Sequence, residues 1–367
     1  MKKISRRQFL SFLSKSAVAA AVMQLLQACG FQPAESPAPP VTPSNTPFRP
    51  PELEPTNTVT VIQATAEAAT PLPTESPSPT AAPPTAYPEP AYLAVARGGN
   101  DPGALARRAV EAIGGMDRFV FPGAKVLIKP NVCTSNYGYE YAATTNPWVV
   151  GELVRMCIET GAARVLVFDF PFNGSNPQNY YNSGIADQVL AAGGELETIN
   201  YDKFIPTTLP NPRSLQSAAF YSEVIDADAV INVPIAKYHT SAVFTLGMKN
   251  MMGVVADRGA VHSAGLQQSI ADLANFVRPE LTVIDAVRIL IRNGPISNNA
   301  NDVRILNTVI ASADIVAADA YAASRIFSAY YPQYSDPNGL GYVRIGAEIG
   351  LGRSDLDNLQ IEEFTVG

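Results

Sequence analysis

Three cysteines, two histidines and one tryptophan are all that the 367 residues hold of these types. Each scarcity excludes something. No Cys-x-x-Cys run is present, so no iron–sulfur cluster or four-cysteine zinc site is expected within this chain. Long apolar runs are also missing: the stretch from Ala17 to Leu26 falls well short of the roughly 20 residues that span a bilayer. With 47% hydrophobic and 16% charged residues, the composition suits a globular protein and excludes a polytopic membrane protein. Positive charge is scarce as well. Lys and Arg number 26 against 33 Asp and Glu, a net charge of −7, which offers nucleic acid no basic footprint.

Proline is plentiful and unevenly spread, with 17 of 31 between Pro33 and Pro90. A segment so rich in Pro, Thr, Ala and Ser, and so poor in large apolar side chains, cannot offset the entropy of folding. Residues 29–90 are therefore expected to be a disordered tether, reaching at most roughly 190 Å if extended as polyproline. One domain over 91–367 is left to fold. Residues 1–28 carry five basic residues and no acidic one ahead of the apolar run, the order of an export signal. Within them Ser5-Arg6-Arg7-Gln8-Phe9-Leu10 resembles the twin-arginine consensus, with Arg6 and Arg7 as the pair. Leu26-Gln27-Ala28-Cys29-Gly30 resembles a lipobox, in which Cys29 becomes the lipidated first residue. A general secretory leader and an incidental cysteine are the plainer alternatives. The expectation is a chain handled by the twin-arginine translocon and the lipoprotein-processing machinery, extracytoplasmic, and attached to the cell membrane by its lipid anchor alone.

From Ala91 onward, short apolar runs alternate with helical segments, the pattern of an α/β fold. Strands are expected at 92–96, 124–128, 164–168, 196–199, 229–233, 281–284 and 308–311. Helices are expected at 102–113, 147–160, 183–192, 266–277, 315–327 and 342–349. The first strand, helix and second strand read as a βαβ unit. Continuous runs such as Val165-Leu166-Val167-Phe168 suit parallel strands covered on both faces, and hence a mostly parallel, doubly wound sheet with helices on both sides. Cys133 and Cys157 are expected as buried, unpaired thiols.

Polar residues follow the strands. Lys129-Pro130-Asn131, Asp169, Lys237 with His239 in the segment after Val233, and Asp285 all succeed apolar runs. Ligands of open α/β sheets bind outside the carboxyl ends of the strands, so these residues point toward one edge. Aspartates in such positions also serve simply as caps of turns. Both histidines, His239 and His262, fall in one stretch with Lys249, Asn250 and Arg258, interrupted by Gly247, Gly253, Gly259 and Gly265. This is a positive island in a negative domain. Lys249-Asn250 would be costly to bury without partners.

At these residues the sequence resembles the domain of unknown function 362 family. The matching elements are Lys129-Pro130-Asn131, Asn146-Pro147, Asp169, Asn232-Val233-Pro234-x-x-Lys237-x-His239, Thr245-x-x-x-Lys249-Asn250-x-x-Gly253, His262, Asp285 and Asn293-Gly294-Pro295. The resemblance implies no particular reaction. Many relatives carry a ferredoxin-like module with Cys-x-x-Cys repeats, which this chain lacks.

The leading expectation is an enzyme acting on an anionic small molecule. Lys129, Lys237 and Lys249 would neutralise a carboxylate or phosphate, with Asn131, Asn250 and Gly253 lining the substrate site. His239 or His262 would move protons. Asp169 and Asp285 would orient a histidine or help hold a divalent metal such as zinc or manganese. A non-catalytic anion- or cofactor-binding lipoprotein and a cell-envelope scaffold are the competing readings.

Overall fold

The computed structural model describes residues 90–172, 174 and 176–367. Arg6, Arg7, Cys29 and the Pro-rich segment through residue 89 lie outside the described residues.

Alternation along the strands sets the architecture. In Leu93–Arg97 (β1), Lys125–Pro130 (β2) and Arg164–Val167 (β3) almost every position is buried, and successive side chains enter opposite cores. Leu93, Val95, Leu127 and Leu166 enter one; Ala94, Ala96, Val126, Ile128, Val165 and Val167 enter the other. A sheet buried on both faces needs helices on both. The second core is completed by Pro102–Ala112 (α1), Pro147–Glu159 (α2), Gln178–Asn182 (α3) and Ile185–Ala191 (α4). Ser222–Asp226 (α5), Gly247–Asn250 (α6), Arg258–Ser263 (α7), Leu266–Val277 (α8), Ile315–Tyr321 (α9) and Gly341–Glu348 (α10) supply the first.

The remaining strands are Glu195–Leu196 (β4), Phe204–Thr208 (β5), Ser217–Tyr221 (β6), Ala229–Val233 (β7), Ile235–His239 (β8), Val243–Thr245 (β9), Leu281–Leu290 (β10), Val303–Ser312 (β11) and Ile361–Thr365 (β12). The main sheet runs β12-β1-β11-β10-β7-β2-β3-β4, with β8 pairing β10 and β9 pairing β8; β5 and β6 form a separate ribbon. Neighbours are parallel except β1–β11, β10–β11 and β8–β9. The fold is thus the expected α/β class with a mostly parallel sheet. β1 and β2 share the sheet without being neighbours, so the crossover through α1 skips β11, β10 and β7. The segment after Val233, where no element is expected, is strand β8, turning through Thr240–Ala242 into β9. The helix expected over 315–327 is α-helical only to Tyr321 and continues as a π-turn over Ala322–Ile326. Among the described residues no helix is long and apolar enough to cross a membrane. Cys133 and Cys157 are both buried and free.

Candidate functional site

Strands β3, β2 and β7 lie side by side and run parallel, so their carboxyl ends deliver their next residues to one place. A cavity of about 290 Å³ opens there. Beneath its floor Lys129, fully buried, donates from Nζ to Asp169 Oδ1 (2.6 Å), Asn250 Oδ1 (3.0 Å) and the Pro130 carbonyl (2.8 Å). Three acceptors saturate an ammonium. Burial pushes the Lys129 pKa below its usual value, and the Asp169 carboxylate opposes that. Asp169 spends its other oxygen on the Val132 N–H (2.6 Å). Asn250 joins the ends of β2 and β7. Its oxygen also accepts from Asn131 Nδ2 (3.2 Å), and its amide donates to Asn232 Oδ1 (2.9 Å) and the Lys129 carbonyl (3.2 Å). Gly253 presses bare backbone against this pair: a Cβ there would strike the Asp169 carboxylate and lie 2.6 Å from Lys129 Nζ.

The turn of helix that presents Lys249 and Asn250 is anchored from behind. Asp319 of α9, fully buried, accepts the Gly247 N–H (2.6 Å) and the Met248 N–H (2.9 Å), the open donors at the start of α6. Burial raises its pKa to about 8 against the pull of those two N–H groups. A Cβ on Gly247 would come within 2.8 Å of Asp319 Oδ1, so glycine is what lets the carboxylate reach.

Cations and imidazoles make up the polar walls. Lys237, on β8, is buried and donates to Asn131 Oδ1 (2.8 Å) and the Ala143 carbonyl (2.7 Å), with the Cys133 thiol beside it. Arg258 donates to the carbonyls of Phe170 and Pro171 (3.1 Å each) and stacks 4.4 Å above the Phe170 ring. Lys249 lines the cavity with no hydrogen-bond or ion-pair partner among the described residues. Its pKa falls to about 8 through burial first and the Lys237 charge second. His239 accepts the Ser241 and Ala242 N–H groups at Nδ1 (3.1 and 3.3 Å), which assigns its proton to Nε2. Burial, then Lys249 and Lys237, push its pKa down to about 3, so it is a neutral donor at any ordinary pH. His262, exposed on α7 at the mouth, also has a lowered pKa, from burial, Lys249 and Arg258.

The structure therefore gathers Asn131, Asp169, Lys237, His239, Lys249, Asn250, Gly253 and His262 around one cavity. Two expectations need correction. Lys129 does not line it; its charge is used on Asp169 under the floor. Nor does Asp285 reach the cavity that Asp169 lines. Asp285 lies within β10 rather than at a strand end and caps, with Oδ2 on the Asn146 N–H (2.7 Å) and Oδ1 on the Val287 N–H (3.0 Å). Burial raises its pKa to about 7. Among the described residues no group of three or more His, Cys, Asp or Glu is arranged to hold a metal ion. Sequence reasoning missed Asp319, Cys133 and Phe170 as parts of the site. Cys133, two residues after Asn131, and Phe170, next to Asp169, stood close to motifs; Asp319 did not.

A family model described as "Domain of unknown function (DUF362)" matches residues 126–324. The chain is 28% identical over 226 residues to a thylakoid-associated protein of Synechocystis sp., a match covering 58% of this chain and 66% of that protein, just under two thirds of its length. It is similar to the lactate racemase apoprotein from Thermoanaerobacterium thermosaccharolyticum, with 13% identity and a TM-score of 0.38 over 60% of this chain and 54% of the other. A protein from Thermotoga maritima matches with 11% identity and a TM-score of 0.36 over 68% and 60%.

Proposed function

We propose, on the premise that this chain belongs to the DUF362 family, that its α/β domain is an enzyme acting on an anionic small molecule in the cavity at the ends of β2, β3 and β7. One observation carries the reading. Lys237, Lys249 and Arg258 face a space whose single carboxylate, Asp169, is already neutralised by Lys129. Such a space is electrostatically incomplete until an anion enters it. In this reading Lys237 and Arg258, held by their backbone and amide partners, bind a carboxylate or phosphate. His239 donates from Nε2 to an oxygen of the substrate, as a preorganised neutral donor. His262, neutral at pH 7 and open to water, takes up or releases a proton.

The test uses the full chain in metal-free buffer, with inorganic phosphate and a panel of small carboxylates, read by thermal unfolding and native mass spectrometry. Phosphate or a carboxylate is expected to raise Tm in the wild type and not in Lys237→Ala. Absence of any anion effect on the wild type refutes the reading. For delivery we propose twin-arginine export and lipidation at Cys29. Replacing Arg6 and Arg7 by Lys should strand the chain in the cytoplasm, and Cys29→Ala should free it from the membrane fraction.

A further inference from the structure

We propose that Lys249 is the amine nucleophile of this cavity, condensing through Nζ with the carbonyl group of a small anion that carries an aldehyde or ketone. The proposal rests on the anion-binding reading above and names the substrate class within it: oxo acids and phosphorylated carbonyl compounds.

The four cations of the site are not equivalent. Lys129 is saturated by three acceptors, Lys237 has two and Arg258 has two carbonyls. Lys249 has none among the described residues and reaches into the open cavity. It is therefore the amine free to change its bonding. Its backbone does not share that freedom, because Asp319 anchors the start of α6 and Asn250, the next residue, is bonded to Lys129 and Asn232. An unbonded side chain on a fixed turn suits a nucleophile.

Most groups facing Lys249 act in one direction. Lys237, Arg258 and Lys129 lower its pKa, the Cys133 thiol alone raises it, and His239 and His262 lie beside it with their own values lowered. Together with burial they bring its pKa to about 8. At about pH 7.5 a lysine so placed has roughly a two-hundredfold larger neutral fraction than an unperturbed one, and desolvation beside other cations is an established way to activate lysine.

The step is a condensation without redox change. The neutral Nζ attacks the carbonyl carbon while the carbonyl oxygen accepts a hydrogen bond from His239 Nε2. A proton moves from nitrogen to that oxygen to give the carbinolamine. Loss of the hydroxyl with the second amine proton forms the imine, so the carbonyl oxygen and both Nζ protons leave as one water.

Pyridoxal 5′-phosphate is the probe, since it joins an aldehyde to a phosphate. The full chain is incubated with it at about pH 7.5, reduced with borohydride and mapped by peptide mass spectrometry, with pyridoxal lacking the phosphate in parallel. Besides the three site lysines, the chain beyond residue 90 has only Lys125, exposed, and Lys203, half-buried and paired with Glu197 and Glu223, which serve as references. Label on Lys249 is expected to exceed that on either reference by about tenfold or more, to fall with competing inorganic phosphate, and to depend on the probe's own phosphate. Lys249→Arg keeps the charge; it should retain the stabilisation by phosphate and lose the dominant adduct. If phosphate stabilises the wild type but label is spread evenly or avoids Lys249, this inference falls and the anion site stands. If phosphate neither stabilises nor competes, both fall.

Discussion

Asp169→Asn probes the buried ion pair under the cavity floor. The substitution preserves shape and leaves Lys129 its contacts to Asn250 and Pro130, but removes the one formal charge opposing a fully buried ammonium and turns an amide toward either Lys129 or the Val132 N–H. Breaking such a pair from one side costs about 3–5 kcal/mol, against at most about 1 kcal/mol for an exposed pair. The loss should depend on pH. In the folded protein the Lys129 pKa already lies below 10.5 because of burial, and Asp169 is the leading influence raising it. Without Asp169 it falls further, so between the lowered folded value and the unfolded value of 10.5 the unfolded chain binds more protons. Stability then rises with pH across that window, and because the wild type rises only above its own, higher folded value, the variant regains ground between the two folded values. Urea unfolding of wild type and variant at pH 7 and pH 9.5 should give a deficit that is large at the lower pH and smaller at the higher one. A deficit under about 1 kcal/mol at pH 7, or one that widens toward pH 9.5, refutes the reasoning.

Gly253→Ala should destabilise by a similar route, because the new methyl displaces the same pair; denaturant midpoints measure it, and wild-type stability would contradict it. Asp319→Asn turns an amide toward one of two backbone N–H groups at the start of α6, with an expected cost of about 1–3 kcal/mol and weaker phosphate binding by calorimetry. Phosphate affinity should decline as pH rises through about 8, where Lys249 loses its charge, and Lys249→Arg should flatten that decline; a profile unchanged by the substitution would remove Lys249 from the site.

Much of this molecule is legible in its sequence. Leu266–Val277 is helical over the span its apolar periodicity marks, and Ala229–Val233 is a strand over the span of its apolar run. Those runs are continuous because both faces are buried. The failures occur where a charged or polar residue sits inside an element. Strand β10 was readable only to Ile284 because Asp285 interrupts the run, yet its carboxylate is satisfied by two backbone N–H groups and the strand continues to Leu290. β8 was hidden the same way: Lys237 occupies a buried strand position that Asn131 and Ala143 make tolerable. The β5–β6 ribbon, with much of β5 exposed, carries little apolar signal. For the site, the motifs named most of the lining. They could not separate Lys129, locked under the floor, from Lys249, free within the cavity, since that difference comes from partners distant in sequence.

One arrangement bears on how the molecule withstands load. The chain enters its described part at Pro90 and passes at once into β1, which lies between β11 and β12 and pairs with each from Leu93 to Arg97. A pull transmitted along β1 from the preceding segment meets two ladders side by side, so their hydrogen bonds must slide together rather than open one after another. Half of that grip is β12, at the end of the chain. Trimming those last strand residues would leave the cavity edge of the sheet untouched and remove one of the two ladders that hold β1.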